Sequence, residues 1–198
     1  VDQVAGQVYA YVVAVGAGLR VVNVSNPSQP VEVGVLEISE GGFVDIAIAN
    51  GQAYLAKPGL GLQIVDISDP TTPQATRLIS LDWPNEIWSI TLSTNQADPP
   101  YVYGAAGTCV SQDPGNCPGM LHIIDVSNPA APKTFSSSMF NGYSTDLVVS
   151  DRYAYLLAMS GLHVLDISDP TRPHYINFLM DQGSAIAVAG DTLYLATK

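Results

Sequence analysis

Acidic side chains are the residues of this sequence with the clearest capacity for chemistry, and Asp45, Glu86 and Asp146 are the main candidates. Carboxylates act as general acids or bases, and they bind cations such as calcium. No pair of acids has a spacing that selects it for acid–base catalysis, so we assign no catalytic residue. No cofactor or metal ligand is expected either, with calcium left open as the one alternative.

The histidines and cysteines do not form a metal-binding pattern. His122, His163 and His174 lack the short-range pairing of metal ligands. Cys109 and Cys117 frame the turn-rich segment "GTCVSQDPGNCPG", and a disulfide closing a surface loop is the favoured interpretation. It implies an oxidising compartment. Free thiols or half of a metal site are the alternatives, although no further cysteine completes such a site.

The charge balance limits the partners. Seven Lys+Arg oppose 18 Asp+Glu, which gives a formal net charge of −11. Nucleic acids and anionic membranes bind basic patches, so neither is an expected partner. No apolar run reaches the roughly 20 residues of a membrane-spanning helix. The chain opens on Val1 rather than on methionine, which is compatible with removal of a secretory signal.

A repeated phrase indicates which elements position these residues. Its four copies are "GLRVVNVSNPSQP", "GLQIVDISDPTTP", "MLHIIDVSNPAAP" and "GLHVLDISDPTRP". Their leucines are spaced by 43, 59 and 41 residues: Leu19, Leu62, Leu121 and Leu162. A tyrosine recurs upstream of each copy and once more near the end of the chain: Tyr11, Tyr54, Tyr103, Tyr155 and Tyr194.

Each unit divides into four short segments rich in Val, Ile, Leu and Tyr, separated by turn residues. Fourteen prolines make long helices improbable. The fold class predicted is therefore all-β, a β-propeller of four-stranded antiparallel blades. The predicted blades are residues 1–39, 40–82, 83–141 and 142–181, with a half blade at 182–198. About four and a half blades indicate part of a larger propeller, and a β-solenoid is the alternative.

The phrases "LQIVDISDPTTP" and "LHVLDISDPTRP", with "VDIAIANGQAYLA" and "TDLVVSDRYAYLL" before them, resemble the LVIVD repeat family. The resemblance extends over nearly the whole chain, although Asn23 replaces the motif aspartate in the first unit and the third unit carries an insert. It implies β-propeller segments of bacterial or archaeal surface and secreted proteins. It implies no particular activity.

The repeated Asp-x-Ser motif is expected to be scaffold. Alternation places Asp66 on a strand face that is apolar elsewhere, so its carboxylate needs hydrogen-bond partners. Amides of the following turn can supply them. We therefore assign a structural, turn-locking role to the four equivalent residues Asn23, Asp66, Asp125 and Asp166. Asparagine would be a poor general base, which supports this assignment.

Function is expected where the repeats differ. The link between a blade's second and third strands shares a face with the link to the next blade. That face carries the cysteine loop and an aromatic and acidic set: Phe43, Trp83, Glu86, Trp88 and Tyr143. Asp45, Ser89 and Asp146 align at the start of the innermost strands, near a central channel. The ligand-binding candidates are Asp45, Trp83, Glu86, Trp88 and Asp146; the alternative is that the tryptophans seal contacts between blades.

Three functions follow from this pattern. The first is an extracellular or cell-surface module that binds a protein or glycan partner. The second is a structural subunit of a cell-envelope layer or fibre, which would bury outer-strand residues such as Tyr175 and Phe178 against another chain in a larger assembly. The third is a propeller enzyme with Asp45, Asp146 and Glu86 lining the channel. A non-enzymatic binding role is favoured.

Overall fold

The computed structural model describes residues 1–14, 16–37, 41–81, 86–93, 100–109, 117–180 and 183–197. These residues form 18 β-strands. Within those ranges no helix is long and apolar enough to cross a membrane.

The strands make four four-stranded sheets and one two-stranded sheet. The first contains β1 (Asp2–Val4), β2 (Gln7–Ala14), β3 (Gly18–Asn23) and β4 (Val31–Leu36). The second contains β5 (Asp45–Ala49), β6 (Gln52–Lys57), β7 (Gly61–Asp66) and β8 (Gln74–Ile79). The third contains β9 (Ile87–Leu92), β10 (Tyr101–Gly107), β11 (Pro118–Asp125) and β12 (Lys133–Asn141). The fourth contains β13 (Ser144–Ser150), β14 (Tyr153–Ala158), β15 (Gly161–Asp166) and β16 (His174–Leu179), and the fifth β17 (Ala185–Ala189) and β18 (Thr192–Ala196).

Every sheet is an antiparallel meander with its strands in chain order. Local turn chemistry explains the hairpins: Asn50 and Gly51 both have positive φ, 52° and 71°, between β5 and β6. That combination gives a two-residue turn whose twist matches the flanking strands. The first strands of successive sheets, β5, β9, β13 and β17, contact one another. They are therefore the innermost strands of a partial β-propeller, as predicted.

The strand register places the recurring tyrosines at one structural position. Tyr11, Tyr54, Tyr103 and Tyr155 each lie opposite the residue two places before the motif Asp or Asn: Val21, Ile64, Ile123 and Val164. The equivalence inferred from sequence spacing is therefore matched by backbone pairing. Three of the four predicted blade boundaries, at 39–40, 82–83 and 181–182, fall outside the described residues, so those boundaries stay predictions.

The hydrophobic core lies between neighbouring sheets rather than within one. Tyr11 of the first sheet packs with Leu55 and Val65 of the second, and Tyr54 of the second packs with Ile90 of the third. The third and fourth sheets, and the fourth and fifth, make similar clusters. Each sheet in the middle is therefore covered on both faces, which explains strands that are apolar throughout.

The turn of the repeated phrase also joins neighbouring sheets. Gly34, on the outer strand β4, lies directly under the turn of the second sheet, and a Cβ there would be 2.1 Å from the carbonyl oxygen of Pro70 and 3.2 Å from Cδ of Pro73. Only glycine permits this approach of two backbones. The Asp-Pro turn is thus a packing element as well as a connection.

Candidate binding face

Asp45 and Asp146, both on innermost strands, each bridge adjacent sheets. One oxygen of Asp45 (Oδ2) accepts a hydrogen bond from the Ile90 amide at 2.8 Å and from the Ser89 hydroxyl at 3.2 Å, both in the third sheet. Its other oxygen accepts the Ile46 amide at 2.8 Å. Asp146 repeats the arrangement between the fourth and fifth sheets, accepting Leu147 N and Ile186 N at 2.8 Å each.

Burial raises the pKa of Asp45 above the ordinary value of a carboxyl group. Hydrogen bonds from Ile90, Ile46 and Ser89 act in the opposite direction and lower this pKa. The negative charge of Asp146 also raises this pKa. The sequence placed both at the start of these strands, and the structure places them there. It also gives their oxygens backbone partners in the next sheet.

Trp88 is at an irregular position of the innermost strand β9. The pairing of β9 with β10 shifts between Ala105 and Ala106, which leaves Trp88 without an opposite residue. Thr145 occupies the same kind of shift in β13. An extra residue of this type bends the strand and redirects its side chain. Trp88 is accordingly 40% exposed although Ile87 before it is buried.

The side chain at this position is tied to the backbone of the second strand of its sheet. Trp88 Nε1 donates to Gly107 O at 3.1 Å. Thr145 Oγ1 donates to Leu157 O at 3.3 Å in the fourth sheet, and Ser184 makes the comparable bond in the fifth. The indole N–H is therefore already bonded, and the orientation of its ring is fixed.

Around Trp88 the structure brings together an aromatic patch, which we define as Trp88, Tyr143 and Met159. The rings of Trp88 and Tyr143 have centroids 6.4 Å apart and planes at 50°, a geometry typical of aromatic pairs. Met159 N donates to Tyr143 O at 3.2 Å, and the Met159 residue is 42% exposed. The patch spans the third and fourth sheets at the end where the insert lies.

The insert begins beside the aromatic patch. Gly107, whose carbonyl holds the indole, is followed by Thr108 and by Cys109, which is disulfide-bonded to Cys117 across a sequence separation of 8. The predicted disulfide is therefore confirmed. Gly107 N also donates to Glu86 O at 3.1 Å, which fixes the backbone of Glu86 at the edge of the patch.

The other predicted members of this face have different outcomes. Phe43 is 2% exposed and belongs to the core between the first and second sheets, so it is a sealing residue rather than an exposed aromatic. Trp83 lies outside the described residues.

The motif residues form a series of identical turns. Asn23 Oδ1 accepts from Ser25 N at 3.0 Å, and the aspartates 66, 125 and 166 accept from the equivalent serine amide at 2.9 Å. These hydrogen bonds lower the pKa of Asp66. Asp66 is only partly buried, because it ends its strand; the expectation that it points into an apolar layer was wrong. Asp166 also pairs with Arg152.

The sequence did not indicate a polar chain around the buried His163, which is 4% exposed. Its Nε2 is 2.8 Å from Ser160 Oγ and its Nδ1 is 3.0 Å from Tyr175 Oη. Ser160 must donate its proton to Asn141 O, since a carbonyl only accepts. His163 Nε2–H therefore donates to Ser160, and in the neutral ring the Tyr175 hydroxyl donates to Nδ1.

Phe140 and Phe178 pack on the imidazole of His163, with ring centroids 5.1 Å and 4.9 Å away. Burial lowers the pKa of His163. Tyr175 and Phe178, considered above as contacts for another chain, thus touch a residue of their own sheet.

The repeat position that His163 occupies in the fourth sheet is taken by Arg20 in the first, where the side chain makes similar links. Arg20 Nε donates to Ala17 O at 3.2 Å, in the turn before β3, and Arg20 Nη1 lies 3.4 Å from Glu32 Oε1 on the outer strand. A side chain at this position thus links a turn to the outer strand. His122, the equivalent in the third sheet, is fully buried.

No group of three or more His, Cys, Asp or Glu side chains gathers as a metal site in the part of the chain that the structure describes.

Comparison with known proteins identifies the family. The LVIVD repeat model matches residues 4–37, 40–76, 118–139 and 141–179, most of the chain. The chain belongs to the LVIVD repeat family. No curated protein matches it.

Two computationally designed proteins of known crystal structure, both propeller-like, are similar to this LVIVD protein in fold. The designed Ika8 protein has a TM-score of 0.68 at 14% identity, with 96% of this chain and 52% of that chain covered. The designed Ika4 protein has a TM-score of 0.61 at 15% identity, with 84% and 92% covered. The LVIVD chain therefore spans about half the length of Ika8, and at these identities the similarity concerns the fold alone.

Proposed function

We propose that this LVIVD propeller is a non-enzymatic interaction module of the extracellular space or cell surface, which binds a protein or glycan partner at the aromatic patch. The observation that carries the proposal is the placement of Trp88. An exposed indole stands at a strand irregularity, locked by its own N–H, beside a disulfide-closed insert. Rigid, partly exposed aromatic residues are typical anchors of binding sites.

Comparison between the repeats supports this proposal. Asp45, Ser89, Asp146 and Ala185 occupy equivalent places on the innermost strands β5, β9, β13 and β17. The residues just before them are Val44, Trp88, Thr145 and Ser184. A small side chain is therefore sufficient for the fold, and the hydrogen bond to the second strand needs only a hydroxyl. The large side chain occurs in the sheet that also carries the insert, which favours recognition over sealing.

The channel supports a non-enzymatic role less directly. Both oxygens of Asp45 and of Asp146 accept hydrogen bonds from backbone amides. Moving a proton to or from a substrate would require these carboxylates to give up contacts that join neighbouring sheets. We therefore propose that they clamp the innermost strands together rather than bind a ligand, and that no cofactor is needed.

The disulfide supports an extracellular location, because such bonds persist in oxidising compartments. The location is tested on protein isolated from its native source. Mass spectrometry after alkylation without reduction is expected to find Cys109 and Cys117 joined and unlabelled. Recovery of both cysteines as free alkylated thiols would contradict this part of the proposal.

A structural subunit is the second candidate, favoured by apolar residues on the outer strand β16. Ile176 is 48% exposed and Leu179 is 50% exposed. Against it, the outer strands of the first, second and fourth sheets are interrupted by register shifts opposite β3, β7 and β15. Such irregularities discourage edge-to-edge pairing. Analytical ultracentrifugation separates the candidates, since a structural subunit is expected to form oligomers that Ile176→Ser disrupts.

The binding proposal is tested by comparing the wild-type chain with Trp88→Ala on arrays of immobilised glycans and peptides. Binding that Trp88→Ala removes and that Ile176→Ala retains is expected, because the latter replaces an equally exposed residue on an outer strand. The thermal unfolding of both variants is measured as a control for folding. Equal binding by wild type and Trp88→Ala to every bound probe would refute the proposal.

A further inference from the structure

A partner at Trp88 can contact only the face of the indole ring. Its only polar group, the indole N–H, is bonded to Gly107 O, so the indole has no hydrogen bond left to offer a partner. What remains exposed is the π surface, which attracts cations over its face and packs on apolar C–H groups. Tyr143, tilted at 50° to it, forms the second side of a shallow corner.

The basic residues of the third and fourth sheets lie at one end, together with Asp125, Asp151, Asp166 and Asp169. Residues 86–180 contain three lysines and arginines. All three lie at the end opposite the aromatic patch: Lys133 begins β12, Arg152 is in the turn between β13 and β14, and Arg172 is in the turn before β16. Glu86 lies two residues before Trp88. A cation approaching the patch therefore meets no positive charge of these two sheets at that end.

One polar side chain beside the patch is already engaged within the protein. The hydroxyl of Ser160, adjacent to Met159, is occupied by Asn141 O and by His163 Nε2. Sugar recognition normally combines an aromatic platform with precisely placed polar groups. A ring face with Glu86 nearby in sequence, and with no basic residue of these two sheets at the same end, suits a positively charged side chain.

We propose that the partner is a basic protein segment, whose arginine or lysine side chain stacks on the exposed ring of Trp88. The inference rests on the proposed binding function and specifies its partner. Cation–π stacking would provide the local contact. The net charge of −11 would draw the segment in and make binding weaken as salt rises.

The test is a titration of the whole chain with hexa-arginine and with hexa-citrulline, its uncharged isostere. Isothermal calorimetry gives the affinities, and the NMR signal of the Trp88 indole N–H, assigned by its loss in Trp88→Ala, reports the site. Hexa-arginine is expected to shift that signal and to bind more tightly than hexa-citrulline. Trp88→Ala is expected to weaken hexa-arginine binding by roughly 2- to 5-fold, and Trp88→Phe by less.

Two control variants distinguish binding at the aromatic patch from general attraction of the peptide by an acidic protein. Ile176→Ala is expected to bind hexa-arginine like wild type. Glu86→Gln is expected to weaken it, with the difference from wild type shrinking between about 50 and 300 mM salt as screening increases. Equal affinity for the arginine and citrulline peptides, or no loss in Trp88→Ala, would overturn the inference.

A neutral oligosaccharide distinguishes failure of the inference from failure of the proposed function. Cellohexaose and maltohexaose are titrated in the same way. If either shifts the Trp88 signal and hexa-arginine does not, the basic partner is refuted while binding at the patch stands. If no probe here and no array ligand depends on Trp88, both proposals fall.

Discussion

The close contact between Gly34 and the turn at Pro70 gives the sharpest test of how the repeated phrase stabilises the fold. In Gly34→Ala the new Cβ would lie 2.1 Å from the Pro70 carbonyl oxygen. Real Cβ contacts are essentially never shorter than 3.0 Å. Because both atoms are close to the backbone, no side-chain rotation relieves the overlap, and the second sheet must move away from the first by about 1 Å.

Overpacking of this kind costs about 1–3 kcal/mol. The substitution also restricts the unfolded chain, which returns about 0.4–1 kcal/mol when the native backbone accepts alanine. Because the overlap is with a backbone atom, the upper part of the overpacking range applies, and we expect Gly34→Ala to lower the free energy of unfolding by about 2 kcal/mol. For a chain of this size that corresponds to a fall in Tm of roughly 4–8 °C.

Urea denaturation followed by circular dichroism, with thermal unfolding beside it, measures this difference. Gly104→Ala is the matched control: its Cβ would lie 3.1 Å from Cδ1 of Ile87, a methyl group that can rotate, so the expected loss is below about 1 kcal/mol. If Gly34→Ala is as stable as wild type, or if Gly104→Ala costs more, packing of the phrase turn on the preceding sheet does not stabilise the propeller as argued.

Three further predictions address the motif, the buried histidine and the disulfide. Asp66→Ala is expected to cost about 1 kcal/mol in urea denaturation through loss of the hydrogen bond to the following turn, whereas Asp66→Asn, which has the side chain of the first unit, should stay within about 0.5 kcal/mol; equal costs would contradict the turn-locking role. His163 has a lowered pKa in the folded chain, so its contribution to stability is complete above the unfolded pKa of about 6.5 and is lost as pH falls below it. His163→Gln should flatten this part of the stability–pH curve; an unchanged curve would refute the role of His163. Replacing Cys109 and Cys117 by serine should lower the free energy of unfolding by up to about 2.5 kcal/mol, the loop-closure value for their separation. As the control, a reductant should destabilise the wild type and leave the serine variant unchanged.

The sequence was sufficient to predict the fold because the repeat contains its own alignment. The spacing of Leu62 and Leu162, and of Tyr54 and Tyr155, marked equivalent strands, and the observed register pairs them in the same way. Turn residues such as Asn50 marked the hairpins. Packing of whole sheets against each other then followed from strands that are apolar throughout.

The sequence was less informative about the site, because the deciding contacts join residues distant along the chain. Asp45 and Ile90 are 45 residues apart, and alternation within one strand does not show that a carboxylate reaches the next sheet. His163 looked like a variable position, since equivalent residues differ in type. The sequence could have indicated its hydrogen-bond partner Tyr175 only if the pairing between the third and fourth strands of the sheet had been considered.

The position of Trp88 suggests how a repeated scaffold could carry the proposed binding site without loss of stability. The same irregular strand position occurs in the third and fourth sheets, and in the fourth Thr145 meets the need for a bond to the second strand with a single hydroxyl. An indole meets the same need with its N–H, to Gly107, while its ring projects from the sheet. The hydrogen bond that keeps the fold intact is therefore also the bond that orients the ring, so removing the ring should weaken binding while a replacement hydroxyl, as in Trp88→Thr, should preserve stability.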